Sequence, residues 1–393
     1  MRRLSTVVAL GLAQTLAWAS TYYLPAMLAA PMARDLGVTV PTVFAAFSVA
    51  LVVSASLGPQ AGRAIDRLGG RPVLMATNLV FALGLTSLGF ATGPVSLFAA
   101  WVILGIGMGS GLYEAAFAAL VRLWGNDARG AITGVTLFAG FASTAGWPLS
   151  TYLEVHYGWR SACLAWAALH LCIGLPLNAV LPRAASPSEF TSEAPTADAD
   201  STHEPHAALR STLVLAWVFA TTWFISTAMA THLPRLLQAG GASVENAVLV
   251  GALIGPAQVG ARLLEFGLLR RLHPLFSARL AAALHPVGVV LIAIFGMPAA
   301  VLFGLLHGAG NGILTIAKGT LPLAVLGPQG YGHRQGVLMV PARIAQALAP
   351  WAFGLAVDVW GTGALAISAG LSTLALASLF FLSLEMRTTA RQP

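Results

Sequence analysis

Lys318 is the only lysine in a chain of 393 residues; the other twenty basic residues are all arginine. It lies in His307–Pro322, within a long apolar segment, and four more charged residues lie in such segments: Glu114, Arg262, Glu265 and Arg343. A charge at the depth of a hydrocarbon layer costs roughly 2.5–3.5 kcal/mol on insertion scales, so each should have a partner or a task. Arg262 and Glu265 are three residues apart on one predicted helix and are expected to pair. That leaves Lys318, Arg343 and Glu114, with one positive charge in surplus, and a surplus cation in a low dielectric attracts an anion. The chemistry this predicts is binding of an anionic small molecule. Nothing points to covalent catalysis: there is no nucleophile beside a base, and Ala317-Lys318-Gly319 lacks the ending of a nucleotide-binding loop.

Around these charges, Asn311, Tyr113 and Gln258 are predicted to help Lys318, Arg343 and Arg262 hold the ligand, with Gln14 and Tyr22 as further polar groups at mid-depth. Glu114, Glu265, His232 and His307 are the candidates for proton coupling or ion pairing, because imidazole titrates near neutrality. His170 and His285 are weaker candidates. The plainer reading of the same residues is a salt-bridge gate between helices that never touches a ligand, with histidines hydrogen-bonded inside the helix packing.

The segments that must position these groups are apolar runs near 20 residues, each enough to cross about 30 Å of hydrocarbon. They fall at about 4–31, 41–62, 72–91, 95–121, 130–153 and 159–182, then at 211–236, 244–269, 277–296, 298–325, 335–357 and 362–386. With 57% hydrophobic and only 9% charged residues, the chain reads as an all-α integral membrane protein of twelve spans. Residues 1–182 form one six-helix half and 211–393 the other. Residues 183–210, rich in Ser, Pro and acidic residues, form a cytoplasmic linker, and His203 and His206 there are read as solvated. The Arg2-Arg3 start and Ala17-Trp18-Ala19 resemble a signal peptide, but the apolar run continues through a full crossing, so the helix is expected to be retained.

Placing alternate loops inside puts fifteen arginines, among them Arg63, Arg67, Arg71, Arg122, Arg129, Arg279 and Arg334, on the side of both termini. Only Arg34, Arg160 and Arg235 fall opposite. By the positive-inside rule both termini are cytoplasmic, in the cell inner (plasma) membrane. The net charge of +7 is therefore read as topology, and no nucleic-acid partner is expected. Cys163 and Cys172 are nine residues apart on one predicted helix and face opposite ways, which excludes a disulfide between them. No cofactor and no metal is expected.

The halves repeat each other. Gly105-x-Gly107-x-Gly109 matches Gly308-x-Gly310-x-Gly312, and Gly134 to Pro148 has the spacing of Gly336 to Pro350. Gly58-Pro59-Gln60, at the end of the second span, has a counterpart in Gly255-Pro256. Duplication of this kind builds transporter folds with a site near the midplane. The repeat aligns Lys318 one residue past Glu114, so the two are candidates to bridge across the axis.

The stretch Gly62-Arg-Ala-Ile-Asp66-Arg67-Leu-Gly69-Gly70-Arg71 resembles the signature loop of the major facilitator superfamily, with Gly70 where that family usually has a basic residue. Gly158-Trp159-Arg160 is also similar to that superfamily. The resemblance implies a conformational latch at Gly62, Asp66, Arg67, Gly69 and Arg71, with Asp66 capping a neighbouring helix. More narrowly, Trp124 to Gly130 followed by Gly134 is similar to monocarboxylate transporters and oxalate–formate exchangers. Gln258-x-x-x-Arg262 stands where monocarboxylate carriers have an acid and a substrate-binding arginine. The implied function is a secondary active transporter, symporter or antiporter and not an enzyme, that moves a small organic anion by alternating access. It would be proton-coupled or an exchanger and would act as a monomer in the bilayer. The alternative is an efflux carrier for drugs or other toxic compounds.

Overall fold

The computed structural model describes residues 3–184, 205–269 and 272–382, and every regular element in them is helical. The first set is α1 (Arg3–Ser20), α2 (Leu24–Asp35), α3 (Val40–Leu68), α4 (Gly70–Gly89), α5 (Pro94–Gly111), α6 (Tyr113–Trp124), α7 (Arg129–Ala139), α8 (Ala142–Leu169) and the short α9 (Leu175–Ala179). The second set is α10 (Pro205–Ala239), α11 (Val244–Gly267), α12 (Pro274–Phe295), α13 (Ala300–Leu326), α14 (Tyr331–Trp360) and α15 (Ala364–Leu379). Among the described residues, nine continuous helical stretches are long and apolar enough to cross a membrane. Several are too long for one crossing: Pro94–Ala179 runs 86 residues and Tyr331–Leu379 runs 49.

Local chemistry sets where helices begin and turn. Thr39 caps α3 by accepting from the Thr42 amide at 3.3 Å, and Ser243 caps α11 in the same way from Asn246 at 3.2 Å. Gly158, inside α8, has φ +83°, a left-handed conformation that a β-carbon would penalise, and it turns the chain between the two parts of that helix.

Packing inside each set rests on small residues, because lipid tails give helices no hydrophobic reason to associate. A β-carbon on Gly105 would lie 2.6 Å from the Ala50 carbonyl oxygen, so α5 sits with its backbone against α3. Gly312 stands in the same relation to Gln258, at 2.5 Å, bringing α13 against α11. The glycine ladders of the sequence are thus used alike in both sets.

Several expected helices differ from their sequence outlines. The first span breaks at Thr21–Tyr23, the fourth at Leu112 and the fifth at Gly140–Phe141. Leu112 is extended (φ −84°, ψ −165°), which cuts the helical hydrogen-bond ladder there. Non-helical backbone at membrane depth needs side-chain partners. Gln14 supplies one, its Nε2 donating to the Gly111 carbonyl at 2.7 Å. The second span does not end near Gly62 but continues to Leu68 around Pro59. Helix α10 starts at Pro205, inside the stretch 183–210 read as linker, since proline suits the first helical turn. Residues 185–204 of that stretch, with His203, lie outside the described residues.

The two sets meet at the arginine-rich end. The Asp66 carboxylate accepts the Gly332 and His333 amides, both at 2.9 Å, at the start of α14. Beside it the backbones of Gly62 and Gly332 touch, as do those of Gly58 and Gly336. Arg67 is exposed, Arg71 is half-buried, and Gly69 has φ +83° at the α3–α4 turn. Across the other junction, Arg129 donates to the Leu272 carbonyl at 2.7 Å and pairs with Glu265 at 3.3 Å. At the opposite end, Arg160 pairs with Asp35 at 3.1 Å within the first set and Arg235 with Asp358 at 2.5 Å within the second.

Candidate functional site

Where the two sets face each other, four charged side chains converge. Arg343 on α14 is buried and gives its Nη2 to both carboxylate oxygens of Glu114, at 3.0 and 3.2 Å. The break at Leu112 puts Glu114 in the first turn of α6, where the helix dipole favours a negative charge. Arg343 also donates to Gln346 at 3.0 Å, and Gln346 donates to the Tyr22 hydroxyl at 2.8 Å. The chain Glu114–Arg343–Gln346–Tyr22 thus ties α6 to α14 and α14 to the break between α1 and α2.

Lys318 is 4% exposed, and its ammonium has no hydrogen-bond partner among the described residues. It rests over the Trp223 ring at 3.8 Å from the centroid, with the Arg343 guanidinium 5.2 Å from the same ring. The expected Lys318–Glu114 bridge is not formed; instead one Arg343 nitrogen spans both oxygens of that carboxylate. A cation on an aromatic face is worth up to about 2 kcal/mol when desolvated, less than a charge-assisted bond to a carboxylate would offer.

Arg262 also departs from its expected partner. It does not pair with Glu265; its Nη1 donates at 3.1 Å to the Thr136 carbonyl, near the break between α7 and α8. A β-carbon on Gly140 would stand 2.5 Å from that nitrogen, so the glycine makes room for the guanidinium. Glu265 is instead held by Arg129 and by the Ser277 hydroxyl at 2.8 Å. The i,i+3 rule failed because both side chains found better partners on other helices. The correction changes the charge count: Lys318, Arg343 and Arg262 face Glu114 alone, a surplus of two rather than one. All three other charges bear on Lys318 electrostatically. Glu265→Gln keeps the Ser277 contact and removes the ion pair, and is expected to cost about 1.5–3 kcal/mol of stability. Thermal unfolding of the variant checks this.

Aromatic rings enclose the charges. Trp18 and Trp223 lie parallel, 5° apart in plane and 6.4 Å between centroids. Tyr113 is 4.7 Å from Trp18, and Tyr22 is 5.2 Å from Trp18 and 6.4 Å from Trp223. Tyr23 continues the series to Trp147 at 6.1 Å. Trp147 lines a groove of about 670 Å³ along one face of α8, with Ser143, Thr144, Thr151 and Tyr152. Sequence reasoning placed Tyr113 here but missed both tryptophans. Their signal was the repeat: Trp18 and Trp223 are 205 residues apart, against 203 for Gly105 and Gly308.

The other predicted residues are more scattered. Gln258 is half-buried on α11 with its backbone against Gly312. Asn311 and His307 line a separate small cavity. His232 hydrogen-bonds the Pro350 carbonyl at 2.7 Å and braces α10 against α14. His170 bridges Ser20 and Asn78, at 2.8 and 2.9 Å. Among the described residues no group of three or more His, Cys, Asp or Glu could hold a metal, and both cysteines are free thiols.

Residues 10–317 match the Major Facilitator Superfamily family model. The chain belongs to that superfamily. It is therefore a membrane transporter and not an enzyme. A 38 kDa protein of the 23S RNA operon of Thermoproteus tenax, itself uncharacterized, is 28% identical over 359 residues, 89% of this chain and 87% of its own. The 4-hydroxybenzoate transporter PcaK of Pseudomonas putida is 25% identical over 260 residues, 58% of this chain and 57% of its own. Among solved structures, the human organic anion transporter MFSD10 (TETRAN) superposes with a TM-score of 0.71 at 20% identity, covering 96% of this chain and 99% of its own. The proton:xylose symporter XylE superposes with a TM-score of 0.72 at 13% identity, covering 96% and 95%. At these identities the structures establish a shared fold.

Proposed function

We propose that this superfamily member is a secondary active transporter of a small organic anion, a carboxylate. One observation carries the reading: three buried cations converge on one carboxylate between the helix sets, and the Lys318 ammonium has only a ring face for company. An incoming carboxylate offers Lys318 the partner it lacks, and the flanking Trp18, Trp223, Tyr22 and Tyr113 favour one attached to an aromatic ring. The partial similarity to a 4-hydroxybenzoate transporter points the same way. The efflux alternative has Glu114 engage a cationic or neutral ligand and the basic residues form gate pairs. The Glu114–Arg343 pair fits such a gate, whereas the Lys318 ammonium, without a hydrogen-bond partner among the described residues, favours an anion.

The transport cycle follows from where the sets touch. Twelve crossings account for the nine stretches if Pro94–Ala179 crosses three times and Tyr331–Leu379 twice, turning at positive-φ glycines such as Gly125, Gly158 and Gly361. The arginine-rich end then faces the cytoplasm with both termini, in the cell membrane, and the protein works as a monomer. The described conformation is closed at that end by Asp66 and the Gly62–Gly332 contact. Rocking the halves about the buried charges would expose them to each side in turn, with Lys318 released from Trp223 when an anion is bound.

A thermal-shift screen of the purified protein tests the substrate class. Benzoate-like anions should stabilise it more than acetate, cyclohexanecarboxylate or cationic drugs. In Lys318→Met, affinity for the stabilising anion should fall about 10- to 100-fold, the equivalent of about 1.5–3 kcal/mol for a charge-assisted bond. Unchanged affinity in that variant would remove Lys318 from the binding site.

A further inference from the structure

A second buried polar cluster lies wholly within the C-terminal helices, away from the charged site. His285 on α12 and His307 on α13 face each other with their Nδ1 atoms 3.0 Å apart, and His285 Nε2 is 3.0 Å from the Ser368 hydroxyl on α15. Both rings are 5% exposed. With the Ser368 hydroxyl donating to the Leu365 carbonyl at 2.9 Å, its oxygen accepts and His285 carries its proton on Nε2. His285 Nδ1 is then a bare acceptor, and His307 must donate to it from Nδ1. His307 is therefore left with a bare Nε2 lone pair, which has no hydrogen-bond partner among the described residues.

His307 lines a cavity of about 30 Å³ with Thr222, Ser226, Asn311 and Ser372, room for about one water with several polar partners. Apart from His307 and His285, no titratable group among the described residues lines it. The cavity-lining residues of α10 are Thr221, Thr222, Ile225 and Ser226; α12 adds Ala281 and Ala282 beside His285, and α15 adds Ser372 and Ala375. On α13 the nearest charged residue in sequence is Lys318, eleven residues and about three turns from His307 on nearly the same face of the helix. Thr222 adjoins Trp223, the ring on which Lys318 rests.

We propose that the His307–His285 pair is the proton-binding site that couples this carrier to a proton gradient. The proton arrives from bulk water through the cavity and forms a bond to His307 Nε2. The resulting imidazolium then donates from Nδ1 to His285 in a charge-assisted bond of the stronger kind. His285 acts as the positioning residue, since it holds His307 in the tautomer whose free nitrogen can take the proton. The inference rests on the transporter reading, and it gives His285 a role that its sequence position did not suggest.

The test uses the full chain in lipid nanodiscs with ¹⁵N-labelled histidine, assigned through His285→Leu and His307→Gln. At high pH the pair should show one Nε2–H ring, His285, and one Nδ1–H ring, His307. On acidification His307 should become an imidazolium before His285 does. In His285→Leu the His307 ring should lose its fixed Nδ1–H tautomer, a spectroscopic change that loss of packing alone would not produce. In liposomes, benzoate accumulation driven by an inward proton gradient should fall at least tenfold in His307→Gln. Protonation of His285 ahead of His307, or the opposite tautomers, would overturn the assignment whatever the substrate proves to be. A normal His307 titration with gradient-driven accumulation intact in His307→Gln would overturn the coupling role. Failure of the anion reading would appear separately, as no benzoate binding in a protein whose histidines titrate as described.

Discussion

Replacing Arg343 with alanine should abolish transport, by two orders of magnitude or more, and should also lower the melting temperature. The two effects have different origins, and a cycle of variants separates them. In the wild type, Arg343 neutralises Glu114 through two bonds and contributes to the positive surplus that draws in an anion. Truncating it leaves a half-buried carboxylate without its cation, and breaking a buried pair from one side costs about 3–5 kcal/mol, an upper bound here. Adding Glu114→Gln to Arg343→Ala removes the orphan charge, so the double variant should recover most of the lost stability. It should not recover transport, because one of the three cations is still missing. Glu114→Gln alone should do the reverse: it frees Arg343, raises the surplus, and should bind the anion several-fold more tightly while releasing it more slowly. Stability by thermal unfolding, affinity by titration and uptake in liposomes give the three readouts. Full transport in the double variant would reduce the Glu114–Arg343 pair to a brace between α6 and α14.

What the sequence revealed of this site follows from the kind of information each residue carries. Lys318, Arg343 and Glu114 stood out because an ionised group in an apolar segment is costly wherever the segment packs, and all three do meet. The close approach of α5 to α3 and of α13 to α11 was readable too, because a run of spaced glycines leaves a helix surface with nothing but backbone to offer. Partner choice was not readable. Arg262 and Glu265 share a helix face, yet Glu265 is taken by Arg129, 136 residues earlier in the chain, and Arg262 by a carbonyl near a helix break. Neither partner exists until the two helix sets have docked. The breaks themselves were hidden for a related reason. Leu112 carries no local signal for an extended backbone, and it is Gln14, on a different helix, that makes the break tolerable. Trp18 and Trp223 read as ordinary apolar residues of their spans, and only their matching places in the repeat set them apart.

The second large effect is expected far from the charges, at Gly62. A β-carbon there would lie 2.0 Å from the Gly332 carbonyl oxygen and 2.3 Å from its carbon, a clash with backbone that no rotamer change relieves. Gly332 faces the same constraint in return, with Gly62 O at 2.5 Å and Asp66 Oδ1 at 2.7 Å. The contact is therefore possible only while both positions lack side chains, and the two Asp66 bonds to α14 depend on it. Gly62→Leu should leave each helix set folded, since the atoms nearest the added β-carbon belong to the opposite set. It should hold the arginine-rich end apart, and a penalty of about 3 kcal/mol would shift the population about a hundredfold away from the described conformation. Spin labels on Leu68→Cys and Gln329→Cys, two exposed positions flanking the junction, should report a longer distance in Gly62→Leu than in the unaltered background. Transport should fall at least tenfold, because a carrier that cannot close one end cannot alternate. Asp66→Asn should act in the same direction but less strongly, because the amide oxygen still accepts one backbone proton while the charge is lost. An unchanged distance with normal uptake in Gly62→Leu would mean that the two sets part and rejoin without this contact, and the latch would have to be sought at Arg129 and Glu265 instead.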